Sequence, residues 1–321
     1  MKGVWCRSAR TPTHDRRQQG RTGATCKGSL VSASTVASLI AEVHASFEVA
    51  PLVYGHGTDN AWDEAVALVL GVSGEADDRE RLAAPVSDDV AARVRVLARR
   101  RMVERIPLAY LLGRCQYLGL EFLIEPGIVI PRSPIGGLLV EEVEPWLVRA
   151  PETILDVCTG SGCIGILAAH VWPEARVTLI DINPAAVALA RRNVALHGLE
   201  DRVEVIESDL LSRLENTERY DLIVSNPPYV DAGDMAALPQ EYRHEPALGL
   251  AGGVDGNDLV RRLLSEVVRH LAPDGCFICE VGASAAALQA SESWPFVWPT
   301  LPTGGEGVFL LTGSDMGLQS R

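Results

Sequence analysis

No stretch of this chain is apolar for long enough to span a membrane; runs such as Leu263 to Leu271 are short or interrupted by charge, and a soluble protein is expected. A disulfide framework is missing too. The seven cysteines, Cys6, Cys26, Cys115, Cys158, Cys163, Cys276 and Cys279, are odd in number and scattered, which suits a reducing compartment. Cys276-Phe277-Ile278-Cys279 has the spacing of half a metal site, but no second pair matches it, and residues three apart on a strand face opposite ways. Buried strand cysteines and no metal are the expectation. An overall basic surface is absent as well. The net charge is −13, and residues 1–28 hold seven Lys or Arg against Asp15 alone, so the other residues together carry −19. So acidic a body opposes tight binding to phosphate backbones and suits a basic protein partner, although an acid surplus also serves solubility alone.

What is present is enough for a large domain and a smaller one: 321 residues, 47% of them hydrophobic. Residues 1–28, rich in Arg, Thr, Ser and Gly and without apolar periodicity, read as a disordered basic tail or as the product of an early start codon. Their low acid content also fits an organellar transit peptide, so the expected compartment is the cytoplasm, with import as the alternative. Val36, Leu39, Ile40, Val43 and Phe47 then follow helical spacing, as do Trp62, Val66 and Val69. A third helix is expected from Asp88 to Arg105, with Val90, Val94 and Leu97 inward. Residues 29–114 thus form a small helical domain, expected to recognise the substrate. Over 115–130 two apolar runs flank Glu125-Pro126-Gly127 and predict a linking hairpin turning at Pro-Gly. In the Tyr54 to Asn60 stretch, His56 reads as a hydrogen bonder that fixes its loop.

From residue 131 to the end, strand-like and helix-like runs alternate, which predicts a doubly wound, Rossmann-like α/β sheet. Thr153-Ile154-Leu155 leads into Asp156-Val157-Cys158-Thr159-Gly160-Ser161-Gly162 and a helix from Ile164 to His170. Glycines there let backbone approach a ligand, and a helix start offers unpaired N–H groups. Gly160, Gly162 and Gly165 also satisfy the G-x-G-x-x-G dinucleotide pattern, so NAD must be weighed. Asp156 decides against it: a carboxylate there repels a pyrophosphate and suits the ammonium of S-adenosylmethionine. Asp181, ending Val177 to Ile180, stands where such sheets meet ribose hydroxyls. Asp209 and Leu210, after Val203 to Ile206, stand where an acid could take an adenine amino group. Either acid could instead cap the following helix.

Asn226-Pro227-Pro228-Tyr229 follows the apolar run Leu222 to Ser225. An Asn amide oxygen beside a Pro carbonyl gives two neutral acceptors, which is what holding a planar NH2 group requires. The lone pair of an amide nitrogen is delocalised, so a catalyst must orient both N–H bonds and aim the nitrogen at an electrophilic carbon. The plainer account is a polar strand exit followed by a stiff turn. Against that stands the order along the chain: glycine loop, ribose acid, adenine acid, amide-binding tetrad, each at a strand end. After the tetrad, the turn-rich stretch Asp231 to Gly256 is expected to cover the site.

Together with the Asp156 to Gly162 loop, the tetrad resembles class I methyltransferases that modify glutamine side chains or exocyclic amino groups of bases. Tyr54 to Asn60, Pro131 to Gly136, and Glu241 to Pro246 with Leu248 to Leu250 narrow the likeness to the protein-glutamine N5-methyltransferase family, over roughly 51–312. Ser133-Pro134-Ile135-Gly136 stands where the release-factor branch has an acidic Pro-Asp-Thr-Glu type sequence, and this is similar to the branch acting on ribosomal protein L3. The resemblance implies S-adenosylmethionine on Asp156 and Cys158 through Gly162, with Asp181 on ribose and Asp209 and Leu210 near adenine. It implies the glutamine on Asn226 through Tyr229, with Arg132 beside it, and an L3 partner met free or in assembling subunits, with a possible contact to ribosomal RNA. Asn226, Pro227 and Tyr229 carry the catalytic expectation. Gly137 departs from the family's glutamate and is given no role. The alternatives are a release-factor methyltransferase, an adenine-type nucleic-acid methyltransferase, and a cofactor-binding assembly factor without activity; an NAD enzyme is more remote.

Overall fold

Thr35 and Ser38 begin the described fold as a capping box, each hydroxyl accepting the other's backbone N–H, at 2.8 and 3.2 Å. The computed structural model describes residues 34–74, 79–141 and 143–319; the tail expected over 1–28 lies outside the described residues. Helix α1 (Val36–Glu48) buries Val36, Leu39, Ile40, Val43 and Phe47, the residues its spacing placed inward. In α2 (Ala61–Ser73), capped by Asn60, Ala65, Leu68 and Val69 face the core, while Trp62 is 51% exposed. Val69 is inward as expected, but the rest of the stripe runs through Ala61, Ala65 and Leu68 instead of Trp62 and Val66, because small alanines permit closer packing than Trp62. Helix α3 (Asp88–Glu104) buries Ala91, Val94, Leu97, Ala98 and also Arg101, while Val90 only flanks that core. Helix α4 (Leu108–Leu112) completes this layer.

The hairpin is real, but its turn is elsewhere. Strands β1 (Arg114–Tyr117) and β2 (Leu120–Leu123) pair antiparallel about Leu118-Gly119, whose φ values are +48° and +83°. A two-residue turn with both positions left-handed matches strand twist, and its usual signal is Asn-Gly or Asp-Gly; leucine conceals it. Pro126-Gly127 instead precedes an irregular segment. There the Ile128 carbonyl accepts the Tyr110 hydroxyl at 2.6 Å and the Ile130 N–H donates to Glu245 Oε1 at 2.9 Å, so side chains replace strand partners.

The α/β part runs α5 (Ile135–Glu141), β3 (Thr153–Val157), α6 (Cys163–Val171), β4 (Arg176–Asp181), α7 (Pro184–Leu196), β5 (Val203–Glu207) and β6 (Tyr220–Ser225). It continues with α8 (Ala232–Ala237), α9 (Ala247–Leu250), α10 (Asp258–Val267), β7 (Leu271–Glu280), α11 (Ala285–Ser291) and β8 (Val308–Thr312). The sheet order is β5-β4-β3-β6-β7-β8, parallel except for the antiparallel edge strand β8. This is the expected doubly wound, Rossmann-like sheet. Ile154, Leu222, Cys276 and Ile278 pack on one face, and Leu155, Ile223, Phe277 and Cys279 on the other. The two cysteines thus lie on opposite sides of the sheet. No helix among the described residues is long and apolar enough to cross a membrane. Chain order departs from space order between β3 and β6, where winding reverses and strand ends leave a crevice.

Candidate functional site

Register brings the motifs together at that reversal. Val157 pairs with Ser225, so Cys158 and Asn226 leave neighbouring strands side by side, and the Ser225 hydroxyl donates to the Val157 carbonyl at 2.8 Å. Asp181 pairs with Glu207, and the Ser208 N–H donates to the Asp181 carbonyl at 2.9 Å. A cavity of about 730 Å³ opens over these ends. Arg132, Cys158, Thr159, Gly160, Ser161, Asp181, Asp209, Leu210 and Asn226 through Tyr229 all line it; Asp156 and Gly162 do not.

The loop holds its shape through φ values of +59° at Cys158, +58° at Gly160 and +85° at Gly162. Asp156 braces it from behind. Its Oδ2 accepts the Thr159 hydroxyl at 2.5 Å and the Gly165 N–H at 2.9 Å, while Oδ1 has no partner. The side chain has no exposure, so the expected direct meeting with an ammonium gives way to a structural role. Burial raises its carboxyl from 3.8 to about 7, against the two hydrogen bonds and with help from Asp181. A carboxyl whose native value is raised binds more protons folded than unfolded. Its stabilising contribution is therefore complete below about pH 4 and is lost as pH rises through 7. Asp156→Asn keeps an acceptor for both donors. In urea unfolding at pH 5 and pH 8, the wild type should lose more stability than this variant, by up to roughly 1.4 kcal/mol per unit of pKa difference. Equal pH slopes would refute the assignment.

Asp181 accepts the Gly160 N–H on Oδ2 and the Asn183 N–H on Oδ1, each at 2.8 Å, which leaves a second lone pair on each oxygen. Burial raises its pKa, and these N–H groups oppose the rise. Asp209 is half exposed, and Arg262 Nη2 donates to both its oxygens at 3.1 Å. Leu210 has φ +47°, so with Cys158 it is a second non-glycine residue held left-handed on the cavity wall. Such positions cost of order 1–3 kcal/mol each and collect at functional sites.

Within the tetrad, Asn226 Oδ1 is sealed from solvent and has no hydrogen-bond partner. No protein bond fixes the amide, so it can turn about its last torsion to meet a ligand. Pro227 is buried beside it. The Tyr229 hydroxyl donates to Glu280 Oε1 at 2.7 Å, and its carbonyl accepts the Ser284 hydroxyl at 2.8 Å. Arg132 clasps both oxygens of Glu245, at 2.6 and 2.7 Å, with its guanidinium carbon 5.4 Å from the centre of the Tyr242 ring. The glycine at 137 has a local reason. A Cβ there would fall 2.5 Å from Thr303 Cγ2, so this helix cannot carry a larger residue at 137 without moving that contact.

The stretch 231–256 folds over the cavity, supplying Leu238, Tyr242, Pro246 and residues 248–253 to its wall. Two buried glutamates anchor it. Glu241 Oε1 accepts the Arg105 Nε–H at 2.6 Å, the Val53 N–H at 2.9 Å and an Arg101 N–H at 3.2 Å. Glu245 meets Arg132 and the Ile130 N–H, and His56 Nε2 lies 3.7 Å from its Oε2. Burial opposes ionisation of Glu245, but His56 and Arg132 outweigh it and hold the carboxyl at about 2. The His56 and Tyr242 ring centres are 4.3 Å apart. The three stretches that carried the family resemblance therefore meet in one place. Glu280 and Arg262 also line the cavity and escaped the sequence reading. For Glu280 a usable signal existed, an acid directly after the apolar run Cys276 to Cys279.

Residues 136–241 match the family model of the methyltransferase small domain. The chain is 44% identical over 285 residues to the ribosomal protein uL3 glutamine methyltransferase of Bordetella pertussis, covering 87% of this chain and 95% of that protein. It is 40% identical over 294 residues to the protein so named in Burkholderia pseudomallei, covering 88% and 95%. Identity to its Francisella tularensis counterpart is 40% over 274 residues, covering 82% and 85%.

Proposed function

Because the chain belongs to the ribosomal protein uL3 glutamine methyltransferases, we propose that it methylates the side-chain amide nitrogen of one glutamine in ribosomal protein uL3, with Asn226 and the Pro227 carbonyl as the paired acceptors. S-adenosylmethionine supplies a methyl carbon on a cationic sulfur. The cavity suits it: Asp181 keeps lone pairs for ribose hydroxyls, and Ser161, on the same wall, has a buried hydroxyl without a hydrogen-bond partner. Asp209 and Leu210 border the adenine end. Asp209 can accept there while Arg262 holds it, since a carboxylate offers about four lone-pair sites.

The observation that carries this reading is the unpartnered oxygen of Asn226 at the exit of β6, beside the exit of β3. With one N–H on Asn226 and the other on the Pro227 carbonyl, the glutamine nitrogen is oriented in plane. As positive charge builds on nitrogen during transfer, both acceptors bind it more strongly than in the ground state, which lowers the barrier. The N–C bond forms as the C–S bond breaks, leaving S-adenosylhomocysteine, and the methylated nitrogen then sheds one proton to solvent, so no strong base is needed at the start. We assign the helices α1 to α4 to substrate recognition, the hairpin region 115–130 to linking them to the catalytic part, and the part from 131 onward to transfer. The acidic body favours a basic protein substrate, and we place the reaction in the cytoplasm, on free or assembling uL3.

Incubation with labelled donor and large-subunit proteins tests this directly. Mass spectrometry should show one added CH2 on a single uL3 glutamine. Label on release factor or on nucleic acid instead would overturn the substrate, and donor binding without release of S-adenosylhomocysteine would overturn the activity.

A further inference from the structure

Glu280 has no part in the transfer as described, yet it is a buried carboxylate on the cavity wall at the exit of β7. Both oxygens are used: Oε1 accepts the Tyr229 hydroxyl at 2.7 Å and Oε2 the Ser133 hydroxyl at 2.6 Å. Ser133 Oγ also accepts the Ile135 N–H at 3.3 Å, so the carboxylate links the start of α5 to the tetrad. Burial pushes the Glu280 carboxyl up, and the two hydroxyls pull it down. Gly282 packs against one edge of the tyrosine ring, where a Cβ would come within 2.6 Å of Tyr229 Cε2. The Tyr229 backbone is packed just as closely, since a Cβ at Gly252 would reach its Cα at 2.7 Å and one at Gly256 its carbonyl oxygen at 2.3 Å.

We propose that Glu280 is a positioning residue for methyl transfer: by holding the Tyr229 and Ser133 hydroxyls from opposite sides, it fixes the tyrosine ring as one wall of the glutamine subsite. This rests on the reading of Asn226 through Tyr229 as that subsite. The ring has two ways to leave its place, by swinging at its hydroxyl end or by sliding along the loop. Glu280 blocks the first, and glycine packing with the Ser284 bond blocks the second. A small misplacement of groups around a reacting nitrogen is enough to reduce turnover strongly.

Steady-state kinetics of the full chain, with labelled donor and uL3, test it. Glu280→Ala should lower kcat by roughly 10- to 100-fold, with the donor KM unchanged. Tyr229→Phe should show the same kind of loss, and the double variant should be no worse than Glu280→Ala, because the two act as a unit. Glu280→Gln still accepts from Tyr229 and can donate to Ser133, so it should regain most of the lost turnover. Urea unfolding checks that each variant folds; should the alanine variant fail, the glutamine and phenylalanine variants and their combination carry the test. Full turnover in Glu280→Ala, or losses that multiply in a double variant, would overturn the inference. So would Glu280→Gln as inactive as alanine, which would give the role to the charge. A wild-type chain that transfers no methyl group would overturn the underlying reading instead.

Discussion

Asn226→Ala is expected to reduce turnover on uL3 by roughly 10²- to 10³-fold, about 3 kcal/mol on the barrier, the scale for loss of one oriented hydrogen-bonding group. Stability should barely change, because the amide oxygen has no protein partner to lose. Most side-chain truncations at buried sites cost both folding and activity, so this separation is informative. Donor affinity should also survive, since the loop from Cys158 to Gly162 and the bonds on Asp181 do not pass through Asn226. Single-turnover measurements with saturating donor would isolate the step. Wild-type turnover in this variant would remove the paired-acceptor mechanism.

The second large effect is on folding. Glu241→Ala should destabilise the chain by roughly 3–5 kcal/mol, the range for breaking a buried ion pair by removing one partner. Glu241 is wholly buried, and its loss strips Arg105 Nε, an Arg101 N–H and the Val53 N–H of their common acceptor. Arg101 would keep Glu64, bonded through Nε at 2.5 Å, but would remain a buried cation with fewer partners. Glu241→Gln should cost less, because it leaves an oxygen in place. The urea midpoint measures the loss. A midpoint unchanged in Glu241→Ala would show that the stretch 231–256 is held without this anchor.

That most of the candidate residues gather on one wall was legible because their motifs stand at strand exits, and the positions of parallel strands can be read from apolar runs. Cys158 through Ser161, Asp181, Asp209, Leu210 and Asn226 through Tyr229 share one wall because β5, β4, β3 and β6 lie side by side with matching ends. Asp156 was misread. Residues alternate across a strand, and the one just before a loop can point behind the loop as easily as into the ligand space; here it turns to Thr159 and Gly165. The hairpin turn was missed because a leucine occupies a left-handed position that sequence rules give to Asn, Asp or Gly. Trp62 was placed inward on helical spacing, which fixes a stripe's period but not its phase when alanines can form the contact.

By itself the sequence determined the class of sheet, the run of strand ends and the residue types at them, because hydrophobic period and glycine placement are local properties of the chain. Tertiary structure decided what pairs with what. Glu241 with Arg101 and Arg105, Glu245 with Arg132, and Glu280 between Ser133 and Tyr229 join residues more than fifty positions apart. A buried carboxylate must find donors wherever the fold brings them, and no spacing rule along the chain records that requirement.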